Sequence, residues 1–454
     1  MRSGTVSNRF IYSQMRLDGS FHLSEGLSVR KSIESCPSGV IHISDVTKDV
    51  YCPGIFRRNY VSSGIPFLGG GDIQKQELDS GKFLRKSTTP NYEILQVERG
   101  WSLVTCGGTI GDTVFSTSLH SKCWLSQHVM RVIPNENITQ GMLYAYLASK
   151  YGKLLLKTDT YGSVIPTLNA ASIKNLPIPQ FSELFQQRID SLIKEYAQNR
   201  ENAEETRLKA IEVLNSFIAA PFTKHGFMTG HVGIKDILSS LQERLDPPAL
   251  INDGVVSMAD IISKRPFKRI GQINATVHRP GIFKRCYVND GIPYIKGSEV
   301  FMTNPFRRCE HLSRTKTPFV DEMALHEGQI LITCAGSVGN IKMITKEYQD
   351  KKAIGSQDII RLVSHDELYT KEYLFTYLQL PFVYDYIQSM KYGSVIERIE
   401  PFHVESIPVI EPSKEISQQI TALIQQYMDY TYHAFNAEET AINLVEHEIE
   451  SWNS

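Results

Sequence analysis

The chain contains no run of roughly 18 apolar residues, the length that a membrane-crossing helix needs, and residues 1–19 are polar and mixed, without the apolar centre of an export signal. Neither a membrane span nor secretion is expected, and the expected compartment is the cytoplasm. Cysteine is sparse: Cys36, Cys52, Cys106, Cys123, Cys286, Cys309 and Cys334 are odd in number, scattered, and form no C-x-x-C pair, which favours reduced thiols over a disulfide or zinc framework. The 13 histidines include no H-E-x-x-H and no His/Cys cluster at zinc spacing, so no metal is expected. Two glycine-rich stretches, Gly69-Gly-Gly-Asp72 and Gly107-Gly-Thr-Ile-Gly111, lack the Gly-Lys-Ser/Thr ending of a phosphate loop. Asp246-Pro-Pro-Ala249 carries alanine where an amino-methyltransferase needs an aromatic ring to stack on a flipped base, and no glycine-rich cofactor loop precedes it. No cofactor and no catalytic centre are expected.

What is present is an ordinary globular composition, 41% hydrophobic and 21% charged, over 454 residues, a length that implies two domains. The net charge of −1 hides an uneven distribution. Phe181 to Ile218 carries −2 and Glu411 to Ser454 carries −7, which leaves +8 on the remainder, a moderate basic excess compatible with DNA.

The sequence repeats once. Residues 53–73, PGIFRRNYVSSGIPFLGGGDI, align without a gap on residues 280–300, PGIFKRCYVNDGIPYIKGSEV, at an offset of 227. Leu103-Val-Thr-Cys-Gly-Gly-Thr-Ile-Gly111 aligns on Leu331-Ile-Thr-Cys-Ala-Gly-Ser-Val-Gly339, Ser126-Gln127 on Ser356-Gln357, and Tyr161-Gly-Ser-Val-Ile165 on Tyr392-Gly-Ser-Val-Ile396, the offset drifting by only four residues. β-branched runs such as Val129 to Ile133 and Ile330 to Thr333 suggest strands, whereas Gly141 to Lys157 and Lys371 to Met390 read as helical.

After each copy comes a long helical stretch, preceded by Pro177 and Pro179 or by Pro408 and Pro412. Apolar stripes run through Ile189, Leu192, Ile193 and Tyr196 in the first and Ile420, Leu423, Ile424 and Tyr427 in the second. Both contain Asn-Ala-Glu-Glu-Thr, at 202–206 and 436–440, now at an offset of 234, so the second has gained three residues. Neither stripe can be buried alone, and antiparallel pairing of the two helices satisfies both most simply. Glu438, Glu439, Glu446 and Glu450 read as a solvated outer face. The expected fold is α+β: a mixed α/β domain over 1–180, a helix over 181–225, a second such domain over 226–410 and a second helix over 411–454.

In combination, G-I-P-[FY], T-C-[GA]-G-[ST]-[IV]-G, the Ser-Gln strand start, Y-G-S-V-I and the proline-marked exit, all in tandem and each followed by a helix, resemble the specificity subunits of type I restriction-modification enzymes. The resemblance runs from about Val40 onward and is weakest over 1–39 and 226–262. It implies two target recognition domains that each read one half of a split DNA site, helices that act as a ruler between them, and docking of two DNA adenine methyltransferase subunits. Some such systems add a translocating nuclease subunit. The second copy departs from the pattern: Gly162-Ser-Val-Ile-Pro-Thr-Leu-Asn169 is matched by Gly393-Ser-Val-Ile-Glu-Arg-Ile-Glu400, without the proline and asparagine.

Candidate DNA contacts emerge from residue chemistry. Arg57, Arg58 and Tyr60, with Lys284, Arg285 and Tyr287, set cations beside aromatics and suit phosphate contact or a solvated surface. Ser126, Gln127 and His128, with Ser356, Gln357 and Asp358, could bond base edges, since glutamine can pair with adenine and aspartate accepts from cytosine N4; they could equally serve buried hydrogen bonding at a strand start. Gly108 and Gly336, and Tyr161, Ser163, Tyr392 and Ser394, fit either tight turns or phosphate contacts. Two other classes stay open. One is an assembly scaffold that no longer reads DNA, and the other a methyltransferase or nuclease subunit with a degenerate motif.

Overall fold

The computed structural model describes residues 5, 8, 22, 24–89, 91–158, 167–219, 222, 224, 229–238 and 244–452. The chain divides into two compact units, one made of residues 1–201 with 433–454, the other of residues 202–432.

In the first unit the main sheet is four-stranded and antiparallel, in the order Thr47–Tyr51, Val129–Pro134, Ser102–Thr105, Thr113–Phe115. Its two central strands are buried at almost every position, as strands covered on both faces must be. A second, shorter sheet runs Tyr60–Val61, Phe83–Leu84, Ile65–Leu68, Trp124–Leu125, with the last pair parallel. A two-stranded ribbon, Val40–His42 with Pro177–Pro179, ties the entry of the domain to its exit. Proline is tolerated there because the ribbon has no further strand to receive its missing N–H.

The second unit repeats this topology strand for strand. Ala275–His278, Ile359–Ser364, Ile330–Thr333 and Ile341–Met343 form its main sheet. Tyr287–Val288, Glu310–Leu312, Ile292–Ile295 and Ile354–Gly355 form the shorter one, again closed by a parallel pair. Phe267–Arg269 with Pro408–Ile410 forms the ribbon.

The stretches expected as helical at 141–157 and 371–390 are each two helices. Gln140–Ala148 stops at Ser149, whose extended backbone breaks the ladder, and its hydroxyl accepts from the Gly152 N–H to start Lys150–Thr158. Gly152 is required at this corner: a Cβ would lie 2.3 Å from the Tyr146 carbonyl oxygen. In the second unit Lys371–Leu378 gives way to Pro381–Ser389, where proline fits the first turn of a new helix and could not continue the old one.

The long helices are Glu183–Ile218 and Lys414–Ser451. Each unit's core contains a piece of both. Ile189, Ile193, Tyr196 and Ala197 share the first core with Ala434, Ala437, Ala441, Ile442, Val445 and Ile449, and Leu192 packs at its margin. Ile420, Ile424, Tyr427 and Met428 share the second core with Ala203, Ala210, Leu214 and Ile218, and Leu423 packs at its margin. The early part of each helix thus meets the late part of the other, an antiparallel order. Of the eight stripe residues, six are in these cores and Leu192 and Leu423 pack against them. The alanines of the second helix allow close approach, and the cost of leaving either stripe in water is removed.

The acidic outer face is corrected at one position. Glu438 is buried, and the Tyr144 hydroxyl donates to its carboxylate. Glu446 accepts from the Lys150 N–H at 2.6 Å, and Glu450 pairs with the Lys150 ammonium. Carboxylates that accept a hydrogen bond from a tyrosine hydroxyl, as Glu438 does, or from a backbone N–H, as Glu446 does, are docking groups, not simple solubilising charge.

Candidate nucleic-acid interface

The Thr-Cys-x-Gly turn is built identically in both units. Thr105 donates its hydroxyl to the Thr109 carbonyl and accepts from the Asp112 N–H at 3.1 Å; Thr333 does the same with the Ser337 carbonyl and the Asn340 N–H, at 3.0 Å for the latter. The turn needs left-handed backbone at Gly108 and Gly336, with φ of 82° and 73°, where any other residue would be strained. Nothing lies within 4 Å of a Cβ at either glycine, so the turn presents open backbone.

Beside it stands the Ser-Gln strand start. Ser126 and Ser356 are buried and turn inward, each hydroxyl accepting from the N–H two residues on, at 3.2 Å in both units. Gln127 Oε1 accepts from Arg58 Nη2 at 2.8 Å, and Gln357 Oε1 accepts from Arg285 Nη2 at 2.9 Å. The arginines are steadied by aromatic faces at matched positions, Arg58 lying 5.3 Å from the centroid of Phe67 and Arg285 5.6 Å from that of Tyr294. Tyr294 adds a hydroxyl that accepts from Arg285 Nε at 2.9 Å. An arginine and a glutamine 69 or 72 residues apart are therefore brought into the same pair twice.

The residue after the glutamine differs between the units. The backbone is superposable in kind, since the carbonyls of His128 and Asp358 accept from the N–H groups of Cys106 and Cys334 at 3.0 and 3.2 Å. His128 is exposed, and its ring occupies the space that Gly107 leaves, where a Cβ would sit 2.8 Å from Nδ1. In the second unit alanine, Ala335, stands at that place and the side chain is the smaller Asp358. Gln357 Nε2 donates to the Asp358 carboxylate at 3.3 Å and Gln127 Nε2 lies 3.4 Å from His128 Nε2, so the contact with the next residue is kept; Gln357 is buried and Gln127 half-buried. Arg279 reinforces this arrangement, donating from Nε to the Gln357 carbonyl at 2.7 Å and gripping Glu400 with two bonds of 2.9 and 3.0 Å. Its counterpart in the first unit is Cys52, whose sulphur is 3.2 Å from that of Cys106.

Arg58, Tyr60, Gly108, Ser126 and His128 line one cleft of about 390 Å³ in the first unit, together with Lys82. Tyr60 sets its ring edge-on to Phe67, with centroids 6.3 Å apart. Arg57 and Lys284 are exposed on irregular loops, and Tyr287 is exposed on its short strand. Tyr392 is turned to the protein: its hydroxyl donates to Glu400 at 2.9 Å and its ring stacks on His403. Ser394 is exposed in the bend beyond it. Tyr161 and Ser163 lie outside the described residues.

The sequence reading missed Arg131 and Arg361, both 0% exposed in the central strand. Arg131 donates to the carbonyls of Leu95, Leu125, Ser126 and Val129 at 2.6–3.1 Å. Arg361 does the same for Met323, Gly355, Ser356 and Ile359 at 2.8–3.4 Å. Burial lowers both guanidinium pKa values to about 10, so both are cations at neutral pH. Each fixes the loop from which the glutamine projects and delivers positive potential beneath it. The signal was available: the matched segments read S-Q-x-[VI]-[MI]-R at 126–131 and 356–361.

Among curated proteins compared by sequence, none matches. Solved structures do: the S subunit of the type I restriction-modification system from M. genitalium is 12% identical, with 91% of this chain and 95% of that one covered and a TM-score of 0.36. The HsdS subunit from Thermoanaerobacter tengcongensis is also 12% identical, with 92% and 96% covered and a TM-score of 0.29. Family membership rests not on these two likenesses but on the family model of the type I restriction modification DNA specificity domain, which matches residues 44–213 and again 267–444. With both copies of the repeat matched over more than half of its length, the chain belongs to that family of DNA specificity domains, and its work is sequence-specific DNA recognition.

Proposed function

We propose that this chain reads a bipartite, asymmetric DNA site, one half with each unit, and directs DNA adenine methyltransferase subunits, two per chain, to it. Where the system restricts as well as modifies, a translocating nuclease subunit joins them. The chain itself is non-catalytic and works in the cytoplasm. Its long helices are the ruler that sets the gap and the surface on which the methyltransferase docks.

The observation that carries this reading is the Arg–Gln pair formed twice on one scaffold, Arg58 with Gln127 and Arg285 with Gln357, with a different next residue each time. Shared groups suit what the half-sites share, the phosphate backbone; Arg57, Arg58, Lys284, Arg285 and the open turns at Gly108 and Gly336 fall in this class. Groups that differ suit what differs. Asp358 is an acceptor for an exocyclic amino group, as on cytosine N4, while the His128 ring suits the acceptor edge of guanine. Two unlike readers make an asymmetric target.

The test is selection of a randomised duplex pool by the purified chain with its methyltransferase subunit at near-physiological salt, followed by sequencing. Two conserved blocks separated by a fixed gap are expected. A complex that assembles but enriches nothing would assign the chain to a scaffold.

A further inference from the structure

The longest gap-free match between the copies holds an apolar side chain in water at the same place twice. Ile55 is 94% exposed and Ile282 80% exposed. Each lies on an irregular loop pinned at both sides: Pro53 and Pro280 are buried, Phe56 packs against the cluster of Phe67, Leu84, Leu95 and Trp124, and Phe283 against that of Tyr294, Leu312, Met323 and Ile354. The loop thus turns phenylalanine in and isoleucine out. A lone exposed isoleucine is ordinary on a protein surface. Here two units that have exchanged Cys52 for Arg279 and His128 for Asp358 have both kept it, in the same posture.

The surroundings of the isoleucines narrow the partner. Exposed Arg57 and Lys284 stand two residues on, with Arg58 and Arg285 of the Arg–Gln pairs next and exposed Tyr60 and Tyr287 beyond them. The loop offers an apolar tip flanked by cations, and no Cβ contact within 4 Å surrounds Gly54 at its approach. A duplex is complementary to this: phosphates outside, an apolar base stack within. We infer that Ile55 and Ile282 are wedges, each entering between two base pairs beside its unit's half-site and partly unstacking them, so that the DNA is kinked at two points. The inference rests on the reading of each unit as a DNA reader. Because both units carry the wedge, its insertion does not depend on which bases that unit reads.

The experiment uses the full chain with its methyltransferase subunit and the duplex enriched by selection, with 2-aminopurine substituted in turn at each adenine-compatible step and a donor–acceptor dye pair at the ends. Wild type is expected to raise 2-aminopurine emission several-fold at one step in each half and to shorten the end-to-end distance. The I55A variant loses the first rise, I282A the second, and the double variant loses both along with the bend, binding about tenfold more weakly. Both residues are exposed, so alanine does not threaten folding. Unchanged emission and bending in the double variant overturn the inference while leaving the DNA-reading assignment intact. A double variant that binds and bends DNA as wild type does but sheds the methyltransferase also overturns it and gives the isoleucines to a protein interface. A wild-type chain that selects no motif at all brings down the DNA-reading assignment itself, and the wedges with it.

Discussion

The two units share a skeleton and differ in a connected set of polar residues. Tyr146 and Tyr377 both donate their hydroxyls to a proline carbonyl in the exit ribbon, at 2.5 and 3.0 Å. Tyr144 stacks on Tyr196 of the long helix just as Phe375 stacks on Tyr427. Against this constancy, Asn169 caps helix Ala170–Lys174 by accepting from the Ser172 N–H at 2.7 Å, whereas the cap of Pro401–Glu405 is Glu400, which also holds Arg279 and Tyr392. The asparagine absent from the second copy is therefore replaced by a residue whose carboxylate is given to Arg279 and Tyr392, while its own N–H donates to His403 Nδ1 at 2.9 Å. Apolar and backbone-binding positions are kept because each fits one packing. Polar groups around the Ser-Gln loop are exchanged together, because a buried charge introduced alone would lack a partner.

This comparison can be broken most sharply at the buried arginines. R131M and R361M should each cost about 4 kcal/mol in urea unfolding, four interior carbonyls losing a charge-assisted donor. If the units are equivalent scaffolds the two losses agree within about 1 kcal/mol; a larger gap would show that the loops are held differently.

Acid should next act on one buried histidine in each unit. Burial lowers the pKa of His120 to about 3 in the first unit and of His403 to about 4 in the second, below the value near 6.5 of an unfolded histidine. As pH falls through 6.5 the unfolded chain takes up protons that the folded chain refuses, so stability is lost from 6.5 down to each folded value, by about 1.4 kcal/mol per histidine per pH unit. Urea midpoints between pH 7 and 5 should fall accordingly, and H403Q should flatten the slope by about one proton's worth. A slope unchanged in H403Q would mean that the ring is protonated in the fold.

Exchanging the reader residues tests the division between shared and differing groups. D358N keeps shape but gives up one acceptor, and discrimination at one position of the second half-site should drop about tenfold in sequenced selections. G107A with H128D should shift preference at one position of the first half-site toward a base with an amino group and leave the second block untouched. Changes in both blocks would end the assignment of one reader per half-site.

The smallest effect expected is at the helix. Y144F makes the first unit resemble the second and removes the hydroxyl that bonds Glu438, a loss of about 1–2 kcal/mol, while F375Y in the second unit should gain nothing, because Glu204 there is engaged by Arg207 at 2.8 Å. Equal effects in thermal unfolding would contradict the pairing described.

Most of the fold was legible because the repeat aligned its strands, turns and helical stripes twice, so that Thr105 and Thr333, or Ile193 and Ile424, vouched for each other. The candidate interface was legible in part: Arg58 and Gln127 were both singled out, yet nothing local joins residues 69 apart. Arg131 was overlooked because a basic residue inside a β-branched run reads as an outward-facing position unless the carbonyls that would receive it are known. Glu438 was misread for the related reason that its donor, Tyr144, comes 294 residues earlier. Helix breaks at Ser149 and before Pro381 depend on close backbone approach, which periodicity does not report.

The sharing of each core by two distant pieces of chain also governs the order of events during synthesis. Residues 24–201 emerge first, but the apolar stripe of Ile189, Ile193 and Tyr196 is covered only on the side of Tyr144 until Ala434 to Ile449 leave the ribosome, after the whole second unit. The first reader is thus finished last, and a chain cut short within the second long helix carries an open hydrophobic seam.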